Sequence, residues 1–109
     1  MRPASIAKLY TQGNMIATGN ELDVVIEGDG FFQVELPDGT RAYTRDGSFK
    51  RSAEGGRLVA ADGYPVMPAV SIPENSLAVD IDATGKVSVL DETGEPVNVG
   101  QLQIVRFLN

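Results

Sequence analysis

Turn-forming residue pairs recur at short intervals along this chain and limit the length of any regular element. Asp-Gly pairs stand at Asp38–Gly39, Asp46–Gly47 and Asp62–Gly63, and other glycine-containing turns separate the remaining apolar runs. Glycine accepts the positive φ of tight hairpin turns, so each pair favours a reversal of the chain. The turns recur about every 8–12 residues, a spacing typical of a sandwich or barrel. We therefore predict a mostly β fold of short antiparallel strands and hairpins, compact and sandwich- or barrel-like, without long helices.

Alternating apolar residues mark the predicted strands between these turns. The clearest alternations begin at Leu22 and at Phe32, and residues 41–44 are expected to return as a strand after the turn that ends at Gly39. Asp46–Gly47 is interpreted as a second hairpin turn before Phe49. Three prolines near residues 65–73 indicate an edge strand or an extended crossing, because proline cannot donate a ladder hydrogen bond. The last apolar segment is expected to supply core residues, namely Val97, Val99, Leu102, Ile104 and Phe107.

Length and composition limit the classes of function. A chain of 109 residues with 42 % apolar residues is predicted to form one domain, residues 1–109. Its 15 acidic and 9 basic residues give a net charge of −6, which opposes binding to nucleic acid or to an anionic membrane surface. There is no Cys and no His, so thiol and imidazole catalysis are excluded and zinc loses its usual ligands. No apolar run approaches the roughly 20 residues of a membrane span. We predict no enzyme activity and no cofactor.

Three patterns resemble chemical sites, and each has a simpler structural interpretation. Residues 80–91 place oxygen-bearing side chains at calcium-loop spacing, but the flanks alternate like strands, which favours a β-turn. The carboxylate pairs Glu27 with Asp29 and Asp23 with Glu35 could in principle serve a glycosidase, yet chance pairs are expected among 15 acids. The Gly28–Gly30 segment lacks the third glycine and helix of a dinucleotide site and favours a tight turn or bulge.

Six residues are candidates for contacts with a partner subunit. Arg41, Tyr43 and Arg45 should share one face of a strand by period two. Phe31 should face away from Phe32, so that one of the two rings can lie outside the core. Two further cations cluster nearby in sequence in this acidic chain, and the candidate set is Phe31, Arg41, Tyr43, Arg45, Lys50 and Arg51.

A long segment carries a resemblance to a known family. The stretch GDGFFQVELPDGTRAYTRDGSF at residues 28–49 resembles the central signature of flagellar basal-body rod and hook proteins. The resemblance continues through residues 11–28, 56–68 and 70–89, and into GQLQIVRFLN at residues 100–109. Within the family the chain is most similar to the distal rod proteins, and the proximal rod and hook proteins are near alternatives.

The resemblance implies a structural subunit that self-assembles into a rigid helical tube and transmits motor torque to the hook. Family members have a β-rich middle domain and terminal axial helices, and this chain matches the β domain only, so we expect a core domain without those helices that is monomeric in isolation. The implied partners are copies of itself, the proximal rod and hook proteins, and the surrounding ring proteins. The implied location is the periplasm-spanning rod of the basal body, reached by flagellar type III export. A β-sandwich module that binds cell-wall glycan is the alternative from another class.

Overall fold

The computed structural model describes residues 7–11 and 14–108, and every regular element in this range is a strand. The ends of the predicted domain 1–109, together with residues 12 and 13, lie outside the described residues. The strands are β1 (Ala7–Thr11), β2 (Asn14–Ala17), β3 (Val24–Glu27), β4 (Phe32–Glu35), β5 (Arg41–Thr44), β6 (Lys50–Arg51), β7 (Leu58–Val59), β8 (Val66–Met67), β9 (Ala78–Ile81), β10 (Lys86–Leu90), β11 (Pro96–Gln101) and β12 (Ile104–Leu108).

These strands form several small antiparallel sheets rather than one large sheet. In the described part of the chain the sheets are β1–β12, β2–β3, β5–β4–β8, β6–β7 and β9–β10–β11. The prediction of a mostly β fold built from hairpins is confirmed, although the strands do not close into a barrel. Strand β8, which lies between Pro65 and Pro68, is at the edge of its sheet beside β4, and this confirms the predicted edge strand. Within the described residues no helix is long and apolar enough to cross a membrane.

Side chains from most of the sheets meet in one apolar core. Val24 and Ile26 of β3 are buried and Val25 between them is exposed, which confirms the predicted alternation. The rings of Phe32 and Phe49 meet edge to face with centroids 4.9 Å apart. Burial of each large apolar side chain stabilises the fold by about 1.5–3 kcal/mol. The largest fully buried side chains are Phe32, Leu58, Ile72, Leu102, Ile104, Val24, Val66, Val70, Val87 and Val105.

Two successive hairpins use the same turn structure. The turn from β9 to β10 has the sequence DATGK at residues 82–86, and the turn from β10 to β11 has DETGE at residues 91–95. In the first, one oxygen of Asp82 accepts hydrogen bonds from the Thr84 backbone N–H at 2.9 Å, the Thr84 hydroxyl at 2.7 Å and the Lys86 N–H at 3.0 Å. Asp91 accepts the equivalent three bonds in the second turn. A single carboxylate therefore fixes each reversal.

The first and last strands pair with each other as a two-stranded ribbon. Ala7 lies opposite Leu108 and Thr11 lies opposite Ile104. Phe31, just before β4, joins the ribbon to the rest of the domain through two backbone hydrogen bonds with Val105 of β12. We call β1 and β12 the terminal ribbon.

Gly30 allows the close approach of the terminal ribbon to the segment before β4. Its φ is +125°, and a Cβ at this position would collide with the Ile104 methyl carbon Cγ2. A larger residue would therefore have to push β12 away. A glycine is required here both by φ and by space.

The interpretation of Asp46–Gly47 as a hairpin turn is wrong. Gly47 does not have positive φ, and the strands on either side belong to different sheets, β5 with β4 and β6 with β7. The Val24 N–H donates to the Gly47 carbonyl at 3.1 Å, and a Cβ on Gly47 would collide with the Val24 carbonyl. Here glycine serves a close backbone crossing rather than a turn.

The prediction that the last apolar segment supplies five core residues is wrong for two of them, Val97 and Phe107. Leu102 and Ile104 are buried and Val99 is partly buried, in agreement with the sequence. Val97 is 42 % exposed because β11 is the outer strand of its sheet. Phe107 is 37 % exposed because the terminal ribbon extends beyond the core.

Candidate subunit-contact site

A groove lies where the terminal ribbon meets the loop between β3 and β4. Its volume is 420 Å³, within the range of about 300–1,000 Å³ found for binding clefts. The lining residues are Gly28, Asp29, Gly30, Phe31, Arg45, Arg106 and Phe107. We call this cleft the ribbon groove. It contains two of the six predicted contact residues, Phe31 and Arg45.

Three aromatic rings form one wall beside the ribbon groove. Phe107 of β12 is the middle ring, with its centroid 5.7 Å from that of Phe31 and 5.0 Å from that of Tyr43. The Tyr43 contact is edge to face at 87°, a preferred aromatic geometry. The prediction that one of the rings of Phe31 and Phe32 lies outside the core is confirmed, since Phe32 is fully buried and Phe31 is half-buried beside Phe107. Phe107 presents the more exposed ring.

Arg45 has a fixed place in the groove. Its Nη1 donates to the Gly30 carbonyl at 2.7 Å, and its Nη2 lies 3.4 Å from the Ile26 carbonyl. The prediction that Arg45 shares a strand face with Arg41 and Tyr43 is wrong, because β5 ends at Thr44 and the arginine turns back to these carbonyls. The two bonds orient the guanidinium and leave its positive charge at the groove.

The second cation of the groove, Arg106, is held loosely. Its Nη2 lies 3.8 Å from a carboxylate oxygen of Asp29, and the two side chains are 49 % and 90 % exposed. An exposed pair at this distance contributes about 0–1 kcal/mol. Asp29 is therefore a weak partner that another carboxylate could replace.

The remaining predicted contact residues lie away from the groove lining. Arg41 is exposed on β5, opposite Glu35 of β4. Lys50 and Arg51 form the short strand β6, and Arg51 Nε donates to the Ile72 carbonyl at 2.9 Å. The structure therefore divides the six candidates. Phe31, Tyr43 and Arg45 lie in or beside the ribbon groove, Arg41 lies apart on β5, and Lys50 and Arg51 lie on the β6–β7 hairpin.

Sequence reasoning missed three residues that shape the groove: Gly30, Arg106 and Phe107. Phe107 was assigned to the core because it stands in an apolar segment, and only its place in the pairing of β1 with β12 shows otherwise. The charge of Arg106 within that apolar segment was the one available indication that β12 faces solvent at its end.

The calcium-loop alternative does not fit the structure at residues 80–91. Asp82 uses its carboxylate for the turn. The hydrogen bond from the Thr84 hydroxyl is the main cause that lowers the pKa of Asp82 below its ordinary value of 3.8. The hydroxyls of Thr93 and Thr40 likewise lower the pKa of Asp91 and of Asp38. Nowhere in the described residues do three or more acidic side chains gather as metal ligands.

The carboxylate pairs are not arranged around a shared cleft. Glu27 ends β3 opposite Asn14, while Asp29 meets Arg106. Asp23 accepts a hydrogen bond from the Asn20 amide at 3.3 Å, and Glu35 lies on a different sheet. The Gly28–Gly30 segment is a turn in which both glycines have positive φ, as predicted.

Comparisons with known proteins match this chain over most of its length. A model of the flagellar hook protein FlgE/F/G D1 domain matches residues 25–89, which is more than half of the chain. The chain is 47 % identical to a flagellar basal-body rod protein FlgG from Buchnera aphidicola subsp. Schizaphis graminum, over 100 % of the chain and 42 % of that protein.

Rod proteins of other bacteria are also similar to this chain. The FlgG protein of Borreliella burgdorferi is 45 % identical over 97 % of the chain and 41 % of its own length. A flagellar basal-body rod protein FlgF from Caulobacter vibrioides is 38 % identical over 92 % of the chain and 34 % of its own length. The chain thus spans about two fifths or less of the curated relatives that it matches.

Proposed function

The chain belongs to the family of the flagellar hook protein FlgE/F/G D1 domain, and from this premise we propose that it is the β domain of a structural subunit of the flagellar rod. The similarity of the whole chain to FlgG proteins carries this proposal and favours the distal rod. The role is structural and not catalytic. The location is the basal-body rod, which spans the periplasm and receives its subunits by flagellar type III export.

The terminal ribbon supports a domain that belongs to a longer axial subunit. Because β1 and β12 are antiparallel, Ala7 and Leu108 lie opposite each other at the same end of the terminal ribbon. Two flanking segments can then run together toward the axis of a tube while the β domain lies further out. This arrangement suits the relatives, in which the matching region is about two fifths of the protein.

The turns and the core support a role in transmitting torque. Each of the two DxTG turns is fixed by three hydrogen bonds to one aspartate, and buried side chains from several sheets form one apolar cluster. A domain built in this way resists shear. In a helical tube each subunit presents two different patches, because heterologous contacts generate an open assembly. The partners are copies of the subunit and the adjoining proximal rod, hook and ring proteins.

The proximal rod is the second candidate within the family. The similarity to a FlgF protein over 92 % of the chain favours it over the hook, although the identity is lower than for FlgG.

Electron microscopy of the full-length protein, with its native flanking residues, tests the proposal. Straight, rigid tubes under assembly-promoting conditions are expected. Curved tubes would move the assignment to the hook, and a full-length protein that stays monomeric would contradict the structural role. The 109-residue chain alone is the control and should form no tube, because the proposal places the assembling segments outside it.

A further inference from the structure

The ribbon groove is a basic and aromatic surface in an acidic chain. Arg45 and Arg106 are two of only nine cations against 15 acids, and both line the groove beside the exposed edge of Phe107. Asp29 offsets one of these charges through a long, exposed contact. Such a surface suits a carboxylate that approaches together with an apolar side chain.

The turn between β10 and β11 carries the complementary chemistry. Glu92 and Glu95 are exposed, and within the described residues their carboxylates make no hydrogen bond or ion pair. Leu90 and Pro96 lie opposite each other at the base of this turn, and both are exposed. We call Leu90, Glu92, Glu95 and Pro96 the acidic tip.

Comparison of the two DxTG turns shows what is particular to the acidic tip. The frame of Asp, Thr and Gly is the same in both turns, and so are the three hydrogen bonds of the aspartate. The turn between β9 and β10 places Ala83 and Lys86 at the two variable positions, whereas the acidic tip places glutamates there. The charge is therefore not needed for the turn and is available for contact with a partner.

We propose that the acidic tip of one copy of this chain docks into the ribbon groove of the next copy. The proposal rests on the rod function and names the contact within it. Arg106 exchanges Asp29 for a glutamate of the tip, Arg45 faces the second glutamate, and Leu90 covers Phe107. Because tip and groove are different patches of the same chain, the contact is heterologous and continues from copy to copy. The turn is fixed before docking, which lowers the entropy lost on binding.

A charge swap tests the contact in the 109-residue chain. One variant carries Arg106→Glu, and the other carries Glu92→Lys with Glu95→Lys. Lysine is compatible with the turn at position 95, because the turn between β9 and β10 has Lys86 at the equivalent position. At millimolar concentration the unchanged chain should self-associate weakly, with concentration-dependent NMR shifts confined to the groove and the tip. Each variant alone should lose about tenfold or more in association. An equimolar mixture should recover association, because the acidic tip of the first variant meets the unaltered groove of the second.

Two further variants separate this contact from general charge effects. Lys50→Glu makes the same charge change on β6, outside the groove, and should leave self-association unchanged. Asp29→Asn removes the competing carboxylate and should strengthen it. The proposal is overturned if the mixture fails to associate, or if Lys50→Glu weakens association as much as Arg106→Glu.

Cysteine cross-linking tests the same contact in tubes of the full-length protein. The chain has no cysteine of its own, so Asp29→Cys and Glu92→Cys introduced together report tip-to-groove contact. A ladder of disulfide-linked oligomers supports the proposal, with Lys50→Cys plus Glu92→Cys as the pair expected to stay unlinked. Tubes that form without the ladder overturn the contact and leave the rod function standing. If the full-length protein forms no tube, the proposed rod function is contradicted. The contact between tip and groove is then tested by the charge variants of the 109-residue chain.

Discussion

At the residue scale, Gly30 connects the terminal ribbon to the core because it leaves room for Ile104. Gly28, two residues earlier, also has positive φ but has open space where a Cβ would stand. The two positions therefore differ in crowding and share the conformational requirement for glycine. This makes Gly28 a matched control for Gly30.

We predict that Gly30→Ala destabilises the fold more than Gly28→Ala. Both alanines meet an unfavourable φ, and only the one at Gly30 also meets Ile104, an overpacking that typically costs about 1–3 kcal/mol. Urea denaturation of both variants measures the difference. Equal losses of stability would show that β12 does not pack against Gly30 as the structure has it.

Residue-scale electrostatics give a second prediction, for the aspartates of the turns. Their pKa values are lower in the folded chain than the ordinary 3.8, so their contribution is fully present above that pH. Stability should fall as pH drops through the lower folded pKa values, because the unfolded chain takes up protons first. The double variant Asp82→Asn with Asp91→Asn should lose part of this acid dependence in denaturation curves at pH 7, 5 and 3.

The control for the turn prediction is Asp80→Asn. Asp80 is exposed on β9, and its carboxylate has no recorded bond within the described residues. This variant should keep the acid dependence of the unchanged chain. Identical pH profiles for the turn variant and the unchanged chain would rule out the three-bond turns as its source.

At the element scale, strands that look equally apolar in sequence differ sharply in burial. Leu58 in β7 is fully buried, while Leu77 just before β9 is 64 % exposed. The same substitution at these two leucines therefore compares core and surface directly.

We predict that Leu58→Ala lowers the free energy of unfolding by about 2–5 kcal/mol through lost burial and a cavity. Leu77→Ala should change it by less than about 0.5 kcal/mol, as surface substitutions usually do. Thermal and urea unfolding of the two variants measure this. A large effect at Leu77 would mean that its exposed side chain packs against something the described residues do not show.

Some turns and strand pairings could be predicted from the sequence alone, and others could not. The turns at Gly39 and Gly63 were predictable because their chemistry is local, and both glycines have positive φ. The prediction of a hairpin at Asp46–Gly47 was wrong because an Asp-Gly pair can also stand where two backbone segments cross closely. Here Gly47 crosses the backbone of Val24, which is far away in sequence. The pairing of β1 with β12 joins the two ends of the chain, and no local pattern marks it.

The groove could be predicted only in part, for the same reason. Phe31 and Tyr43 were named as candidates from strand alternation, and Arg45 was named with them although it lies beyond the end of β5. Their position near Phe107 depends on where the terminal ribbon lies, and that is set by the pairing of β1 with β12, which are far apart in sequence. Lys50 and Arg51 were grouped with them because they are near in sequence, and the fold places them on another hairpin.

At the scale of the whole molecule, the proposed rod function places the β domain in a tube that the domain is not expected to form by itself. We predict that the 109-residue chain is a monomer at micromolar concentration, because a single weak contact such as tip-to-groove docking gains strength only when many copies are aligned. Sedimentation equilibrium measures this. A stable oligomer at micromolar concentration would contradict it.

The most direct measurement is an electron cryomicroscopy map of basal bodies isolated from the bacterium that carries this gene. We expect the β domain to recur helically in the distal rod, with each terminal ribbon directed toward the axis. A map in which the domain fits only the hook, or in which no rod density accommodates it, would contradict its role as a rod subunit.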